Sequence, residues 1–380
     1  MPGRRLLYVH NAVPYFLSHR LAVARAARNA GWDVHLAAPP VDAALRGRLE
    51  AERITFHPFT LSRRGMAPAH ELGSLWALGR LYRQVQPTLI HLVTIKPVLY
   101  GGMVARLTGG APYVATIPGR GYVFTTAPGL KGRMLRGGVR QAYRLALGGG
   151  SCRAIFQNPD DRDFFVAESM IAADKTRVVL GSGVDPDQFR PGQRAGASPP
   201  RVVLASRMLR DKGVLEFVEA ARRLKAAGIA AEFVLLGLPD PGNPDSHRES
   251  ELAAWHAEGV VQWWGYREDM PEILAATDIV CLPTAYGEGV PRILIEAAAC
   301  GCALIAADRP GCREIVQDGV NGLLVPPRDA GALAHAVTTL LDDPARCGGM
   351  GQAGRARVLA QFTEAHVVEE TLAVYAALTS

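Results

Sequence analysis

Two glutamates separated by seven residues, Glu288 and Glu296, are the residues of this chain whose types and spacing point most clearly to chemistry. Between them, Gly289, Val290 and Pro291 predict a tight turn that leads into a helix. Pro291 suits the first helical position, because the N–H that proline lacks would be unpaired there. Glu288 is therefore expected in the loop before the helix, and Glu296 within the helix.

The helix that follows this turn is expected to offer an anion site. Apolar residues 293–300 predict its body, and Gly301 predicts its end. A helix N terminus attracts phosphate through its free N–H groups and its dipole, whereas carboxylates accept hydrogen bonds from hydroxyl groups. Two carboxylates on either side of such a terminus predict a ligand in which a sugar is joined to a diphosphate.

A second anion signal comes from Arg207 and Lys212. They follow a predicted strand over residues 202–206 and precede a helix that begins near Val214. The carboxyl end of a strand is where doubly wound folds bind ligands. Arginine offers a planar fork to phosphate oxygens, and lysine offers a mobile point charge. The alternative is an ordinary exposed loop, and local evidence alone favours it. The Glu288–Glu296 segment reverses this preference in favour of an anion site.

A third segment surrounds Gly265, which ends a predicted strand over residues 260–264 and precedes a predicted helix over residues 270–276. A glycine turn at a strand end can present backbone groups to a nucleobase. An ordinary turn explains the same residues, and local evidence favours that alternative.

One polar loop in the first half of the chain follows the first predicted strand. Ser18 is a credible N-cap for a helix over residues 19–30. This prediction places His19 and Arg20 in the first helical turn, where they face a cleft or the solvent.

Two further loops of the first half also follow predicted strands. Lys96 lies in a predicted loop over residues 94–97, and Arg120 lies in a predicted loop over residues 116–122. Because each loop comes at the carboxyl end of a strand, both can line the same cleft as His19 and Arg20. For each of these loops, an ordinary surface role is an equal alternative.

Composition limits the class of protein. At 380 residues the chain is expected to form two domains, and 48% hydrophobic with 21% charged residues is normal for a globular enzyme. The net charge of +6 and pI of 9.1 suit an anionic substrate, an anionic membrane surface or nucleic acid. Nucleic acid is disfavoured, because no known binding module accompanies the charge.

Several other chemistries lack their usual signals. The six cysteines form no C-x-x-C pair and are expected as reduced core residues of a cytoplasmic protein. The chain contains neither the dinucleotide-binding glycine motif nor the P-loop motif. Asp161 and Asp163 are better explained as the acidic start of a helix than as metal ligands, so no metal or cofactor is expected. No signal peptide or membrane-spanning stretch is predicted.

Short apolar runs alternate with helical patterns along the whole chain, which predicts an α/β fold with doubly wound parallel sheets. A proline-rich stretch over residues 185–200 predicts a linker. We therefore expect an N-terminal domain over residues 1–185, a C-terminal domain over residues 200–362 and a helical tail over residues 363–380, whose docking stays open. Two such domains are expected to face each other across a cleft.

The segment 129–148 combines basic and apolar residues at helical spacing. Its cations are Lys131, Arg133, Arg136, Arg140 and Arg144. A basic amphipathic helix can lie on an anionic membrane, and an ordinary solvated helix face is an equal alternative.

Together, these segments resemble the family 4 glycosyltransferases. The matching stretches are Ser206-Arg207 with Lys212-Gly213, Val261 with Gly265, residues 278–283, Glu288 to Pro291 with Glu296-Ala297, residues 301–306 and residues 318–325. The resemblance covers nearly the whole chain and is strongest from about Val202 to Pro327. It implies the GT-B fold, in which two Rossmann-like domains face each other, and transfer from a nucleotide sugar with retention of configuration.

The resemblance also implies roles for the matching residues. Arg207 and Lys212 match the pair that holds the donor diphosphate, and Glu288 matches the carboxylate near the donor sugar. Glu296 corresponds to the carboxylate that binds the ribose. Gly289, Val290 and Pro291 correspond to the turn that approaches the donor. Tyr266 and Arg267 correspond to the residues that contact the base.

The first half departs further from the family, because Val13-Pro14-Tyr15-Phe16 replaces the usual Gly-Gly loop and Lys96-Pro97 stands where many members have a histidine. Its pattern resembles the subgroup that builds bacterial surface polysaccharides, such as capsule and lipopolysaccharide, on polyprenyl diphosphate. The resemblance implies a UDP-hexose or UDP-N-acetylhexosamine donor, a lipid-linked or glycan acceptor and metal-independent transfer. It implies a cytoplasmic enzyme, with peripheral contact at the inner face of the membrane an open alternative.

Other functions stay open at this point. They are a UDP-N-acetylhexosamine epimerase of the same fold, a transferase that uses GDP-mannose, and a non-catalytic binding or assembly protein.

Overall fold

The computed structural model describes residues 3–59, 68–121, 124, 129–192 and 199–379. Tyr122, in the predicted loop 116–122, and residues 193–198, in the predicted linker, lie outside the described residues. The chain divides into two compact units, which are considered one at a time. The N unit comprises Met1–Ser182 and Glu364–Ser380, and the C unit comprises Gly183–Thr363.

The N unit contains a seven-stranded parallel sheet with the order β3-β2-β1-β4-β5-β6-β7. Its strands are β1 (Arg5–Val9), β2 (Asp33–Ala38), β3 (Thr55–Pro58), β4 (Leu89–Val93), β5 (Tyr113–Ile117), β6 (Cys152–Phe156) and β7 (Thr176–Val178). The helices of its described residues are Val13–His19, Leu21–Asn29, Ala43–Ala51, Pro68–Val85, Ile95–Leu107, Gly129–Leu147, Pro159–Ala167, the 3-10 turn Ala173–Lys175, and Glu364–Thr379.

The C unit contains a six-stranded parallel sheet with the order β10-β9-β8-β11-β12-β13. Its strands are β8 (Arg201–Ala205), β9 (Glu232–Leu236), β10 (Gln262–Trp263), β11 (Ile279–Leu282), β12 (Ala303–Ala307) and β13 (Gly322–Val325). Its described helices are the 3-10 turn Arg210–Lys212, Val214–Ala226, Glu249–Ala257, Met270–Ala275, Arg292–Ala299, Cys312–Ile315, Ala330–Leu341 and Pro344–Gln361.

The central strands are apolar because both faces of each sheet are covered. Every residue of β4, β5, β11 and β12 is buried. Along β1, Leu7 and Val9 pack into one core cluster, whereas Leu6 and Tyr8 pack into another. This alternation follows from the two-residue repeat of a strand and requires an apolar layer on each side. The predicted doubly wound α/β fold is confirmed.

The C-terminal helix Glu364–Thr379 packs on the N unit. It contacts the helix Leu21–Asn29 and strands β4, β5 and β6. Val367 and Tyr375 are buried there, in the core cluster that also contains Tyr8. The end of the chain therefore completes the layer that covers one face of the first sheet.

Each sheet has a point at which the strand order reverses. In the N unit this switch lies between β1 and β4, and in the C unit it lies between β8 and β11. The loops that leave the two strands at a switch run in opposite directions and leave a crevice at the carboxyl edge of the sheet. In the C unit these loops carry Lys212 and Glu288.

The prediction of one helix over residues 19–30 with Ser18 as its N-cap is wrong. Two helices, Val13–His19 and Leu21–Asn29, replace it, and Arg20 lies between them. The Ser18 hydroxyl lies 2.9 Å from the carbonyl oxygen of Pro14 and 3.2 Å from that of Tyr15, to which it donates. Ser18 therefore bonds back into the last turn of the first helix and caps nothing.

The predicted loop over residues 94–97 is also wrong, because the helix Ile95–Leu107 begins directly after Thr94. Pro97 lies in the first turn of this helix. Proline is tolerated there, since the first N–H groups of a helix have no partner within it.

All six cysteines are buried free thiols, as their apolar sequence contexts predicted. No helix among the described ranges has both the length and the apolar character needed to cross a membrane.

Candidate active site

The switch point of the C unit brings two predicted site residues into contact. Lys212 ends the loop after β8, and Glu288 lies in the loop after β11. The Lys212 Nζ atom lies 2.5 Å from Glu288 Oε1, and both side chains are largely buried. This ion pair joins residues 76 positions apart in the chain. An ammonium held at the carboxyl edge of a parallel sheet is well placed to receive an anion.

Thr284 contacts both the loop that carries Lys212 and the loop that carries Glu288. Its side chain is fully buried, and its hydroxyl lies 3.0 Å from the Asp211 carbonyl oxygen and 3.3 Å from Glu288 Oε1. The Ala285 N–H donates to the same Asp211 carbonyl at 2.8 Å. The sequence interpretation missed Thr284, although a threonine at the end of a buried apolar strand was a signal for it.

Gly213 permits the close approach of these loops. It adopts a left-handed φ of +78°, and a Cβ atom there would lie 2.4 Å from the Pro283 carbonyl oxygen. Any side chain would therefore push the Lys212 loop away from β11.

A third loop, which follows β12, supports the turn that carries Glu288. Gly311 has a φ of +91°, and a Cβ atom there would lie 2.0 Å from the Gly289 carbonyl oxygen and 2.6 Å from that of Glu288. The Gly311 N–H donates to Glu314 Oε2 at 2.5 Å. The backbone of Gly289 thus packs closely against Gly311, a position that only glycine can occupy without strain.

The helix Arg292–Ala299 begins one residue later than predicted. Pro291 is its N-cap, with an extended backbone (φ −63°, ψ 120°), rather than its first helical residue. Glu288 precedes the helix and Glu296 lies within it, as predicted, and Gly301 follows its end with a φ of +74°. Val290 is buried, so this turn is anchored in the core.

Glu296 is paired within its own helix. Arg292 Nε donates to Glu296 Oε1 at 2.6 Å, one turn away. Burial raises the pKa of the Glu296 carboxyl above its ordinary value, while the charge and the hydrogen bond of Arg292 oppose that rise. Arg292 therefore favours the ionised form of the Glu296 carboxylate.

Arg207 lies in the same loop as Lys212, but its side chain has a different partner. Its Nη1 atom donates to Asp240 Oδ2 at 2.9 Å, in the loop after β9. The Arg207 side chain is 61% exposed, so this ion pair is weak and exchangeable. The structure thus pairs Lys212 with Glu288, whereas the Arg207 side chain is exposed and pairs with Asp240.

Tyr266 and Arg267 follow β10 on the surface. Tyr266 is 67% exposed, and Arg267 donates to Asp269 Oδ1 at 2.7 Å. Their backbone lies at the carboxyl edge of the sheet, and neither side chain joins the Lys212–Glu288 pair. Around this site, and elsewhere in the described residues, no group of three or more histidine, cysteine or acidic side chains could hold a metal ion.

Comparison with known protein families matches both units. The description "Glycosyl transferases group 1" fits residues 199–343, and "Glycosyl transferase 4-like" fits residues 5–157. The chain is a glycosyltransferase with a group 1 region and a 4-like region. This confirms the resemblance drawn from the motifs, and Lys212 and Glu288 both lie within the region that the first description matches.

Relatives and solved structures agree with this assignment. The glycosyltransferase is 27% identical over 297 residues to the Campylobacter jejuni N,N'-diacetylbacillosaminyl-diphospho-undecaprenol alpha-1,3-N-acetylgalactosaminyltransferase. This match covers 75% of this chain and 76% of that protein. It is 23% identical over 293 residues to the Escherichia coli UDP-Gal:alpha-D-GlcNAc-diphosphoundecaprenol alpha-1,3-galactosyltransferase, over 74% of this chain and 73% of that one.

The crystal structure of Anabaena HepE in complex with UDP and glucose superimposes with a TM-score of 0.79 at 20% identity, over 98% of this chain and 99% of that one. The GT-B fold is therefore confirmed.

In the N unit of the glycosyltransferase, the candidates His19 and Arg20 have separate environments. The His19 ring stacks on Tyr15 with centroids 3.9 Å apart, and its Nδ1 atom lies 2.7 Å from the Ser18 hydroxyl. Arg20 is only 3% exposed, so the alternative that it faces the solvent is wrong.

Lys96 and Arg120 both have carboxylate partners. Lys96 Nζ lies 2.9 Å from Glu71 Oε1. Arg120 Nε donates to Asp161 Oδ1 at 2.6 Å, and its guanidinium lies over the Phe164 ring. These contacts fix both side chains to neighbouring helices of the N unit.

Asp161 belongs to the start of a helix, as predicted. Its N–H donates to the Asn158 side chain at 2.7 Å, which caps the helix Pro159–Ala167. The Asp161 side chain accepts hydrogen bonds from Arg120 and Asn158.

The basic segment 129–148 forms the helix Gly129–Leu147, and its cations divide into two sets. Arg140 pairs with Glu168 at 2.9 Å, and Arg144 donates to the carbonyl oxygen of Glu168 at 2.9 Å. These two arginines hold the end of the next helix, whereas Arg133 and Met134 are exposed. The side chain of Lys131 lies outside the described residues.

Proposed function

We propose that this glycosyltransferase moves a hexose or N-acetylhexosamine from a UDP-sugar to a glycan carried on a polyprenyl diphosphate, with retention of configuration, in the synthesis of a bacterial surface polysaccharide. The observation that carries the proposal is the Lys212–Glu288 pair at the switch point, next to the helix that bears Glu296. This arrangement supplies a cation for a diphosphate and two carboxylates for hydroxyl groups.

The leaving group explains why cations are needed at this place. As the bond between sugar and phosphate stretches, negative charge grows on the departing UDP. Lys212, Arg207 and the N terminus of the helix Arg292–Ala299 would stabilise that charge, which is the work of a divalent cation in other transferases. We therefore propose metal-independent transfer.

The carboxylates would orient the donor. In this proposal Glu296 accepts hydrogen bonds from the ribose hydroxyls, and Glu288 binds the sugar. The acceptor hydroxyl attacks on the face from which UDP leaves, and a phosphate oxygen of UDP takes its proton. The new glycosidic bond forms as the sugar–phosphate bond breaks, so the configuration is retained. Tyr266 and Arg267 would contact the base through their backbone.

The relatives support this donor and acceptor. The Escherichia coli relative is named for UDP-Gal, and the HepE structure holds UDP and glucose. The Campylobacter jejuni and Escherichia coli relatives are both named for acceptors that contain a diphospho-undecaprenol group.

An acceptor of this kind resides in a membrane, which suits peripheral contact at its cytoplasmic face. The exposed Arg133 and Met134 of the helix Gly129–Leu147 combine positive charge with an apolar side chain. Anionic lipid headgroups attract such a surface.

The decisive experiment incubates the purified protein with UDP- and GDP-sugars, with and without a short-chain polyprenyl-diphosphate glycan, in the presence of EDTA. NMR of the product should show one new linkage with the donor's anomeric configuration, and Lys212→Met should lose the activity. Transfer only from GDP-mannose would overturn the choice of UDP. A new UDP-sugar formed without acceptor would indicate an epimerase, and inverted product would overturn retention. No binding of any nucleotide would support a non-catalytic role.

A further inference from the structure

Arg20 of the N unit is a buried arginine with unsatisfied nitrogen atoms. Only 3% of the residue is exposed, and its Nε and Nη2 atoms have no hydrogen-bond partner among the residues that the structure describes. Its backbone is fixed, because its N–H donates to the Phe16 carbonyl at 2.8 Å and its carbonyl accepts from Ala24 at 2.9 Å. A guanidinium removed from water without a partner carries a large desolvation cost, so its retention calls for an explanation.

Other arginines with mainly structural roles are satisfied by carbonyl groups. Arg355 donates to the carbonyl oxygens of Phe189, at 3.1 Å, and of Ala299. Arg357 donates to the Glu314 carbonyl at 2.6 Å. Arg20 differs from both, because no acceptor in the described part of the chain is bonded to its Nε or Nη2 atom.

The positive charge of Arg20 influences the pKa of three buried residues, Tyr8, His91 and Tyr375, and these residues are hydrogen-bonded to one another. The Tyr8 and Tyr375 hydroxyls lie 2.9 Å apart, and His91 Nδ1 lies 2.5 Å from the Tyr375 hydroxyl. His91 Nε2 lies 2.7 Å from the hydroxyl of Thr116. This buried network joins strands β1, β4 and β5 to the C-terminal helix and leaves no acceptor directed at Arg20 Nε or Nη2.

The network is also electrically neutral. Burial raises the pKa of Tyr8 and of Tyr375, so both hydroxyls keep their protons. Burial lowers the pKa of His91, and the positive charge of Arg20 adds to that effect, so the ring stays uncharged. None of these groups supplies a negative charge to balance the guanidinium.

The location fits a ligand site. Tyr8 and His91 are neighbours in the register of β1 and β4, the two strands at the switch point of the N unit. Both lie within two residues of the carboxyl ends of their strands. Ligands of doubly wound sheets bind in the crevice at such an edge.

We propose that Arg20 anchors an anion site in the N unit that takes a phosphate or diphosphate group. The planar guanidinium presents adjacent N–H groups that match phosphate oxygens, and the anion supplies the missing charge. The inference rests on the proposed function, which provides two sources of this chemistry: the diphosphate of the donor nucleotide and that of the lipid-linked acceptor.

The test uses Arg20→Met, which replaces the cation with an apolar side chain of similar length. Removal of an uncompensated buried charge should raise the Tm of the ligand-free protein by about 2 °C or more. Arg355→Met, which removes a donor from two carbonyl groups, is the matched control and should lower the Tm. If Arg20→Met lowers the Tm as Arg355→Met does, Arg20 is a structural residue and the proposal is overturned.

Calorimetry with inorganic pyrophosphate then tests binding in a Lys212→Met background, where the C-unit site is weakened. Adding Arg20→Met should lower the remaining pyrophosphate affinity by about tenfold or more, as expected for the loss of a charge-assisted hydrogen bond. Equal affinity with and without Arg20→Met would overturn the proposal. This comparison stays decisive even if the wild-type protein fails to bind UDP, a result that would count against the proposed function alone.

The source of the phosphate follows from two ligands tested on Arg20→Met alone. Weaker binding of UDP would assign the site to the donor. Unchanged UDP binding with weaker binding of geranyl diphosphate would assign it to the acceptor. Unchanged binding of both ligands would again overturn the proposal.

Discussion

Lys212 and Glu288 lie on adjacent loops of the C unit, with Nζ and Oε1 2.5 Å apart, although 76 residues separate them in the chain. The reversal of strand order between β8 and β11 creates this contact, because it places the ends of two distant segments side by side. Glu288 neutralises the lysine that we propose binds the donor diphosphate. The two residues should therefore act as a unit.

A double-mutant cycle tests this coupling. Lys212→Met should lower kcat by about 10²–10³-fold, by analogy with the loss of an oxyanion donor. Glu288→Gln should also lower it, since the lysine loses its partner and the sugar loses an acceptor. Because the side chains are in contact, the double variant should lose less than the sum of the two effects. The rate of UDP release measures kcat, and strictly additive losses of kcat would show that the two residues work independently.

Asp240 should restrain Arg207 in the empty enzyme. Asp240→Asn removes the competitor for the guanidinium, so UDP should bind about two- to fivefold more tightly, in keeping with an exposed ion pair worth under about 1 kcal/mol. Calorimetry at low and high salt measures the gain, which should shrink as salt screens the pair. Arg207→Met is the control, and in its background Asp240→Asn should have no effect. Weaker UDP binding by Asp240→Asn would mean that the carboxylate contributes to the site.

Two glycines near Glu288 offer a matched pair of substitutions. Gly311→Ala would place a methyl group 2.0 Å from the Gly289 carbonyl oxygen, whereas Gly287→Ala would meet no atom within 4 Å. Gly311→Ala should cost about 1–3 kcal/mol in the free energy of unfolding and weaken UDP binding, because the turn must move. Denaturant unfolding and calorimetry measure the two effects. Equal behaviour of the two variants would show that the close approach has no consequence.

The Arg292–Glu296 pair predicts a dependence on pH. Burial already raises the pKa of Glu296 in the folded protein. A carboxyl whose pKa is higher when folded binds its proton more tightly in that state, so its contribution to stability falls as pH rises past the unfolded pKa. Arg292→Met removes the opposing charge and should raise this pKa further.

UDP binding should report that shift, because the ribose requires the ionised carboxylate. As pH is lowered, the UDP affinity of Arg292→Met should begin to fall at a higher pH than that of the wild type. Calorimetry across mildly acidic to neutral pH measures it, and 2',3'-dideoxy-UDP serves as the control ligand. Superimposable pH profiles for the two proteins would refute a role for Arg292 in keeping Glu296 charged.

The basic helix Gly129–Leu147 offers a test of membrane contact. Arg133→Glu changes an exposed side chain, so it should leave the Tm unchanged while weakening sedimentation with phosphatidylglycerol vesicles about fivefold or more. Arg140→Glu should instead lower the Tm, because it places a second carboxylate beside Glu168. Vesicles of phosphatidylcholine alone are the control. Unchanged sedimentation of Arg133→Glu would argue against this helix as the contact surface.

The sequence by itself determined the local elements of this protein. Continuous apolar runs identified buried parallel strands, such as the predicted strand over residues 202–206, which the structure places at Arg201–Ala205. The glycines and prolines around Glu288 and Glu296 located the loop and the helix, since turn and cap preferences act over a few residues. The family motifs lie in these same short segments, which is why the class of enzyme could be predicted.

Tertiary structure decided which distant groups meet. Strand order pairs Lys212 with Glu288, and loop packing brings Thr284 and Gly311 beneath them. No local pattern encodes these contacts, because they depend on the relative positions of strands far apart in the chain. The same holds for Tyr375, which returns from the end of the chain to the first sheet. Arg20 was predicted from the sequence to face a cleft or the solvent, and only the tertiary structure shows that it is buried.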